Sequence, residues 1–217
     1  MPKRIGITGN MGAGKSTLSD YLRAQSQIVI DADAWAHTLL DTNYSLKEDV
    51  VGSFGEQVIE DGDGKNWGYY KNGKLHGPVE ISRKKLGEIV FSDKKKLNQL
   101  NTIFFEYLEE KFSVFEKYFL PFLPDKTVFI DAALIIEWLH TPFFEFKFDE
   151  IIVVAADDKI RLKRLVERTG LSEEKILQRM SFQMPQEEKI KGNTFIWNNG
   201  TKEELYQSYN LLFKTFV

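Results

Sequence analysis

Eight consecutive residues near the start of the chain, 9–16, have the types and spacing of a loop that holds phosphate. Glycine, four variable residues, glycine, lysine and serine match every fixed position of the phosphate-binding loop, or P-loop. Its glycines let successive backbone N–H groups converge on phosphate oxygens. Lys15 reaches the β- and γ-phosphates, and the Ser16 hydroxyl is a ligand for Mg²⁺. The sequence therefore predicts an ATP–Mg²⁺ site whose contact residues are Met11, Gly12, Ala13, Gly14, Lys15, Ser16 and Thr17.

The segments on either side of this loop agree with phosphate binding. The apolar run Arg4–Thr8 precedes it, and Leu18, Tyr21 and Leu22 follow it at helical spacing. The positive end of that helix favours a bound anion. The guanine-reading signature Asn-Lys-x-Asp of GTPases does not occur, and 217 residues leave no room for the additional domains of most motors or helicases. The pattern favours a small-molecule kinase.

Two carboxylates, Asp31 and Asp33, stand where the second predicted strand opens into a helix. One could cap that helix or assist Mg²⁺, while the other could accept the proton of an acceptor hydroxyl. Both could also simply cap the helix, which is a common role for aspartate at such a position. The local pattern leaves these roles open.

The rest of the chain alternates short apolar runs with longer helical stretches, which is typical of an α/β fold with a covered parallel sheet. Five runs are short, rich in β-branched residues and flanked by helix or turn signals: Arg4–Thr8, Gln27–Ile30, Thr127–Asp131, Glu150–Ala155 and Thr194–Trp197. We therefore predict a three-layer P-loop fold in one domain, residues 1–217, with a five-stranded parallel sheet.

A long, mainly helical stretch between the second and third strands predicts an inserted subdomain at about 40–120. Within it, Lys94–Phe119 has the apolar stripe of an amphipathic helix. A turn-rich aromatic segment at about 62–80 interrupts the helical pattern. Its Asn72-Gly73 pair predicts a β-hairpin with a two-residue turn, because both turn residues must accept positive φ.

Composition limits the other functions that the chain could have. The absence of cysteine excludes disulfides, zinc–thiolate sites and thiol nucleophiles. The formal net charge of −3 does not indicate a broad nucleic-acid surface. No signal-peptide core follows Met1, and no apolar run approaches the roughly 18 residues of a membrane helix. We expect a cytoplasmic protein with a small-molecule substrate, a monomer or weak homo-oligomer, without nucleic-acid or membrane partners.

Taken in order, several segments resemble dephospho-coenzyme A kinases. The resemblance starts with the P-loop and Asp31-Ala32-Asp33, and it continues along most of the chain. The further matching segments are Ser82-Arg83-Lys84-Lys85-Leu86 with Val90-Phe91, Asp131 to Glu137, Arg164 to Glu174 followed by Gln183, and Asn198-Asn199-Gly200. The P-loop alone is generic, whereas the ordered set is specific to this family.

The resemblance implies ATP-dependent phosphorylation of the ribose 3′-hydroxyl of dephospho-coenzyme A, the last step of coenzyme A synthesis. By matching position, Asp33 is the general base, and Asn199 belongs to the loop that binds the nucleotide base. Arg164 and Arg168 close over the transferring phosphoryl group from a helical lid at about 161–190. Without the resemblance, these arginines, with Arg161 and Lys163, are only the basic face of a surface helix.

The chain departs from the family pattern on the acceptor side. Asn101-Thr102-Ile103-Phe104 replaces a common His-Pro pair, Ala133 replaces a usual proline, and Gly87 lies near an often basic position. Two alternatives therefore remain: a P-loop kinase that acts on another nucleotide or nucleoside, and a non-catalytic ATP-binding interaction protein. Asp33 together with the two lid arginines argues against the second alternative, since a pure binder has no use for a base.

Overall fold

The computed structural model describes residues 2–60, 68–123, 125–141 and 144–213. The first residues of the predicted hairpin insert, 62–67, therefore lie outside the described part of the chain. The strands found in the described residues are β1 (Lys3–Thr8), β2 (Ile28–Asp31), β3 (Tyr69–Lys71), β4 (Lys74–His76), β5 (Thr127–Asp131), β6 (Glu150–Ala155) and β7 (Thr194–Trp197).

The described helices include the two that follow the predicted nucleotide and acceptor residues. They are α1 (Lys15–Ala24), α2 (Ala32–Thr42), α3 (Tyr44–Phe54), α4 (Arg83–Val90), α5 (Lys94–Tyr118), α6 (Ile135–Leu139), α7 (Asp158–Thr169), α8 (Glu173–Phe182), α9 (Gln186–Ile190) and α10 (Lys202–Phe213). None of these helices in the described residues combines the length and the hydropathy that a membrane span requires.

The chain divides into two compact units, one formed by Met1–Asp33 with Ser113–Val217 and the other by Ala34–Phe112. The first unit contains a five-stranded sheet in the order β2-β5-β1-β6-β7. Every neighbouring pair in this sheet is parallel, which confirms the predicted α/β fold. Three strands have the predicted bounds, β1 begins one residue earlier, and β2 is shifted by one residue.

Burial explains why these runs form central strands. Ile5 and Ile7 of β1 are fully buried, and Phe129, Ile152 and Val154 of the flanking strands are also in the core. Apolar residues on both faces are typical of a parallel sheet that is covered on both sides. β1 has β5 on one side and β6 on the other, so the loop after β1 lies at a point where the strand order reverses. Ligands of open α/β sheets bind in such crevices at the carboxyl ends of the strands.

The second unit contains the predicted hairpin. β3 and β4 pair antiparallel, and Asn72 and Gly73 have φ values of 52° and 79°, which confirms the two-residue turn. Leu75 is buried, and its N–H donates to Glu48 Oε1 on α3 at 2.9 Å. The hairpin is therefore attached to the helical part of its own unit.

The long helix α5 confirms most of the predicted amphipathic stripe. Leu108, Phe112 and Phe115 are buried, as the spacing indicates. Phe119 is an exception, because the helix ends one residue earlier and leaves its side chain 58% exposed. The assignment of about 40–120 as an acceptor subdomain and of about 161–190 as a lid stays a prediction.

Candidate active site

The P-loop connects β1 to α1, and its shape requires glycine at two positions. Gly12 and Gly14 have φ values of 78° and 100°, in the left-handed region that side chains disfavour. A Cβ atom at Gly14 would lie 2.0 Å from Asn198 Nδ2, and one at Gly12 would lie 2.8 Å from the backbone oxygen of Arg161. These two glycines therefore allow both the turn and the close approach of neighbouring segments.

Two side chains hold the loop from the segment between α8 and α9 and from the end of β7. Gln183 Oε1 accepts a hydrogen bond from the Met11 N–H at 3.0 Å. Asn198 Nδ2 donates to the Ala13 oxygen at 2.7 Å, and the Ala13 N–H donates to the Asn10 oxygen at 3.0 Å. Within the predicted contact segment, the N–H groups of Met11 and Ala13 thus already bind protein acceptors.

The remaining donors of the segment belong to the first turn of α1. Helix-initial N–H groups have no acceptor inside their own helix, and those of Lys15, Ser16 and Thr17 occupy these positions. Gly14 caps the helix without a side-chain hydrogen bond. This arrangement presents backbone donors and the positive end of the helix dipole to an anion.

Lys15 lies between two carboxylates from different elements. Its Nζ donates to Asp33 Oδ2 at 2.9 Å and to Asp131 Oδ1. Burial lowers the pKa of the Lys15 ammonium, but the two carboxylates outweigh this effect, and the net pKa is raised above its ordinary value. Lys15 therefore stays charged, and the three side chains together carry one excess negative charge.

The two carboxylates differ in access to solvent. The side chain of Asp131, the last residue of β5, is 3% exposed, whereas that of Asp33, in the first turn of α2, is 43% exposed. Asp31 faces away from this group, with Arg23 Nη2 3.8 Å from its Oδ2. Of the two carboxylates that follow β2, Asp33 is thus the one beside Lys15 and open to an incoming hydroxyl.

The residues before α6 connect the acidic group to α9. The N–H of Ala133 donates to Asp33 Oδ1 at 3.3 Å, and its oxygen accepts from Thr8 Oγ1 at 3.1 Å. The same oxygen accepts from Lys189 Nζ at 2.8 Å. Lys189 was not among the sequence-predicted residues, since a lysine in a short polar helix gives no signal of burial.

Helix α7 brings one predicted lid arginine to the loop. Arg164 Nη1 donates to the Gly12 oxygen at 3.4 Å, and Nη2 donates to the Gly200 oxygen at 3.3 Å. Arg168 is exposed in the last turn of the same helix. Asn199 Oδ1 accepts from the Asp157 N–H at 2.8 Å, so its side chain binds the start of α7. The structure brings Arg164 to the P-loop and leaves Arg168 on the surface.

Arg161 corrects the interpretation of α7 as a helix with a uniformly exposed basic face. It is 3% exposed, and its Nε donates to the Met11 oxygen at 3.0 Å. Burial lowers the pKa of its guanidinium, and Asp158, 2.6 Å away, opposes this shift. The helical pattern could not reveal that this side chain faces the P-loop, because that depends on how α7 packs.

The donor set at the loop fits Mg²⁺. The hydroxyl of Ser16 is exposed at the start of α1, and the nearby carboxylates of Asp33 and Asp131 are hard oxygen ligands of the kind Mg²⁺ prefers. The described residues contain no group of three or more His, Cys, Asp or Glu that could hold a metal by themselves. Mg²⁺ commonly binds through one or two protein oxygens together with substrate phosphates and water, so the residues present suffice.

Comparison with known proteins agrees with this geometry. The family model described as dephospho-CoA kinase matches residues 3–204. The dephospho-CoA kinase of Geobacillus kaustophilus is 35% identical over 205 residues, which cover 94% of this chain and 92% of that protein. That of Aquifex aeolicus is 33% identical over 214 residues, covering 98% of this chain and 96% of that protein.

The chain belongs to the dephospho-CoA kinase family. It is therefore a kinase, a transferase that uses ATP and phosphorylates an alcohol group of a small molecule. A solved structure of the dephospho-CoA kinase from Campylobacter jejuni has the same fold, with a TM-score of 0.61 and 23% identity over 100% of this chain and 98% of that chain. The family match confirms the resemblance that the ordered sequence motifs indicate.

The contact between Arg161 and the P-loop yields a first prediction. Arg161→Met leaves the buried Met11 carbonyl without its guanidinium donor, so we expect a loss of about 1–3 kcal/mol in the free energy of unfolding. ATP binding should weaken with it, because the loop loses a support. Urea denaturation and titration with ATP measure the two effects.

Lys163→Met is the matched control, since Lys163 lies on the same helix but is exposed. Its effect on stability should stay within about 0.5 kcal/mol. Equal losses in the two variants would show that the Arg161 contact has no special weight.

Proposed function

We propose that this chain transfers the γ-phosphoryl group of ATP to the ribose 3′-hydroxyl of dephospho-coenzyme A, giving coenzyme A. The observation that carries this proposal is the exposed carboxylate of Asp33 held 2.9 Å from the P-loop Lys15. A group that accepts a proton thus stands beside the group that binds the phosphates. The match to the dephospho-CoA kinase family over residues 3–204 supports this acceptor over another nucleotide or nucleoside.

Donor binding rests on the first turn of α1. The N–H groups of Lys15, Ser16 and Thr17 would bind the phosphates of ATP. An ammonium has three N–H donors, so Lys15 retains one for phosphate while it binds Asp33 and Asp131. Gly12, Gly14, Met11 and Ala13 shape the loop rather than supply most of its donors. Asn199 would act through the loop that follows β7, at the nucleotide base.

Asp33 would serve as the general base. The acceptor hydroxyl gives its proton to the Asp33 carboxylate while its oxygen bonds to the γ-phosphorus, and the bond to the β–γ bridging oxygen breaks to release ADP. Most of the rate enhancement in such transfers comes from positioning and charge stabilisation. Lys15 and Ala133 contribute by fixing both carboxylate oxygens of Asp33.

Arg164 and Arg168 would stabilise negative charge on the transferring phosphoryl group. A guanidinium fork suits phosphate oxygens, and Arg164 already lies on the P-loop at the Gly12 oxygen. For Arg168, the proposal requires movement of the segment at about 161–190 as a lid. This segment is helical in α7, α8 and α9.

Mg²⁺ would be held by the Ser16 hydroxyl together with ATP, with the Asp131 and Asp33 carboxylates nearby. When bound, it neutralises charge on the β- and γ-phosphate oxygens. A cytoplasmic location, a monomeric or weakly homo-oligomeric state and the lack of a nucleic-acid partner stay predictions. The non-catalytic alternative is disfavoured, since an ATP-binding interaction protein needs no base at Asp33.

The role of Asp33 is tested by exchanging its carboxylate for an amide. Asp33→Asn should lower kcat about 10²- to 10⁴-fold, the range expected for loss of a general base, while ATP still binds. Lys15→Met should weaken ATP binding as well. Steady-state kinetics with dephospho-coenzyme A and calorimetric ATP titration separate these effects.

Asp31→Asn is the matched control, because Asp31 lies two residues earlier and faces Arg23. It should keep nearly the full kcat. A loss of ATP affinity in Asp33→Asn as large as that in Lys15→Met would contradict the assignment of Asp33 as the base.

The lid arginines give a separate test. Arg164→Met and Arg168→Met should each lower kcat by about 10²- to 10³-fold, the usual loss when one transition-state donor is removed. Lysine in place of either arginine should recover part of the loss, since it keeps the charge but not the fork. An unchanged kcat in Arg168→Met would remove that residue from the mechanism.

A further inference from the structure

Helix α9 carries a charged side chain that is completely buried. Lys189 is 0% exposed, and its Nζ lies 2.9 Å from Glu137 Oε1 and 2.8 Å from the Ala133 oxygen. Burial lowers the pKa of this ammonium, and the Glu137 carboxylate opposes the shift. Burying a charge costs free energy even when it is paired. The donor and phosphate roles described above make no use of this group.

The Ala133 backbone links Lys189 to the proposed base. Its oxygen accepts from Lys189 Nζ and from Thr8 Oγ1, which approach from α9 and from the end of β1. Its N–H donates to Asp33 Oδ1 at 3.3 Å, while the other oxygen of Asp33 binds Lys15. Any displacement of Ala133 therefore changes the hydrogen bond that orients one oxygen of Asp33.

The same short segment also carries Asp131, two residues before Ala133. Asp131 binds the Lys15 ammonium, so the position of this segment affects both charged partners of the P-loop lysine. Fixing the segment at Ala133 from α9 thus fixes two contacts at once. Lys189 itself is close enough to Asp33 and Lys15 for its charge to interact with both.

We propose that Lys189 is a positioning residue for phosphoryl transfer, which holds the Ala133 backbone and through it the carboxylate of Asp33. This inference rests on the proposed role of Asp33 as the base. It assigns to α9 a direct mechanical link with the acceptor side of the site. A purely structural role would instead stabilise the fold without any dependence on Asp33.

The first experiment compares Lys189→Met with Lys191→Met in the full chain. Lys191 lies just beyond α9 and is exposed, so it controls for loss of a lysine there. Lys189→Met should lower kcat about 10- to 100-fold, since small misplacements of reacting groups have effects of this size. The dissociation constant of ATP should change less than about 3-fold, because no P-loop contact is removed. An unchanged kcat in correctly folded Lys189→Met overturns the proposal.

A double-mutant cycle with Asp33→Asn separates positioning from general stabilisation. If Lys189 acts through Asp33, then Lys189→Met should lower the residual rate of Asp33→Asn by less than about 3-fold. Lys189→Arg, which keeps the charge and the donors, should recover part of the loss. The same 10- to 100-fold loss in both backgrounds would show that the two residues act independently, and that result also overturns the proposal.

Two further variants keep the test valid if Lys189→Met does not fold. Lys189→Met/Glu137→Gln removes the carboxylate charge left unpaired, and Thr8→Val removes the other donor to the Ala133 oxygen without leaving a charge. Both should lower kcat in a way that disappears in the Asp33→Asn background. Additive losses in these variants count against the proposal.

Failure of this inference is distinguishable from failure of the proposed function. If the unmodified protein does not phosphorylate dephospho-coenzyme A, or if Asp33→Asn retains its rate, the proposed function fails. If that activity is present and depends on Asp33 but not on Lys189, only the positioning role fails.

Discussion

The ammonium of Lys15 and its two carboxylate partners impose the main constraint on this structure. A cation at the start of α1 faces the positive end of that helix, which is unfavourable unless negative charge lies nearby. Asp131 and Asp33 supply that charge from two different elements. Their approach depends on the strand order β2-β5-β1, which places the carboxyl ends of β2 and β5 next to the P-loop strand. The sheet topology and the charge balance of the site are therefore one problem with one solution.

The strand registers show how closely this solution is specified. Asp131 pairs with Ile7 of β1 and with Asp31 of β2, so all three strands end at the same level. A shift of one residue would turn the side chain of Asp131 to the opposite face of the sheet. Within this arrangement the two carboxylates differ in use, since Asp131 is buried against Lys15 and Asp33 remains accessible. Accessibility separates the proposed base from its charge-balancing neighbour.

Much of the fold could be predicted from the sequence because its signals are local. The buried β-branched runs identify the strands, the Asn72-Gly73 pair identifies the hairpin, and the glycine spacing of the P-loop identifies the phosphate site. These patterns act within a few residues, where propensity and burial agree. The dephospho-CoA kinase resemblance rests on the same kind of local motif, taken in order along the chain.

The remaining contacts depend on packing between distant segments, which local patterns do not encode. Asn198 reaches Ala13 from 185 residues away, and Arg161 reaches Met11 across 150 residues. Periodicity places Arg161 on the polar side of α7 but cannot say that this side faces the P-loop. Lys189 is similar, because only the packed structure shows that a lysine in a polar helix is fully buried. The site's support is tertiary, whereas its phosphate-binding core is local.

The most direct test is to identify the product formed from ATP and dephospho-coenzyme A. The purified protein is incubated with Mg²⁺, ATP and either dephospho-coenzyme A, a nucleoside or a nucleoside monophosphate, and the products are analysed by mass spectrometry and phosphorus NMR. The account predicts one phosphoryl group on the ribose 3′-oxygen of dephospho-coenzyme A for each ADP released. Release of ADP without a phosphorylated product, or a higher kcat/KM for another acceptor, would contradict it.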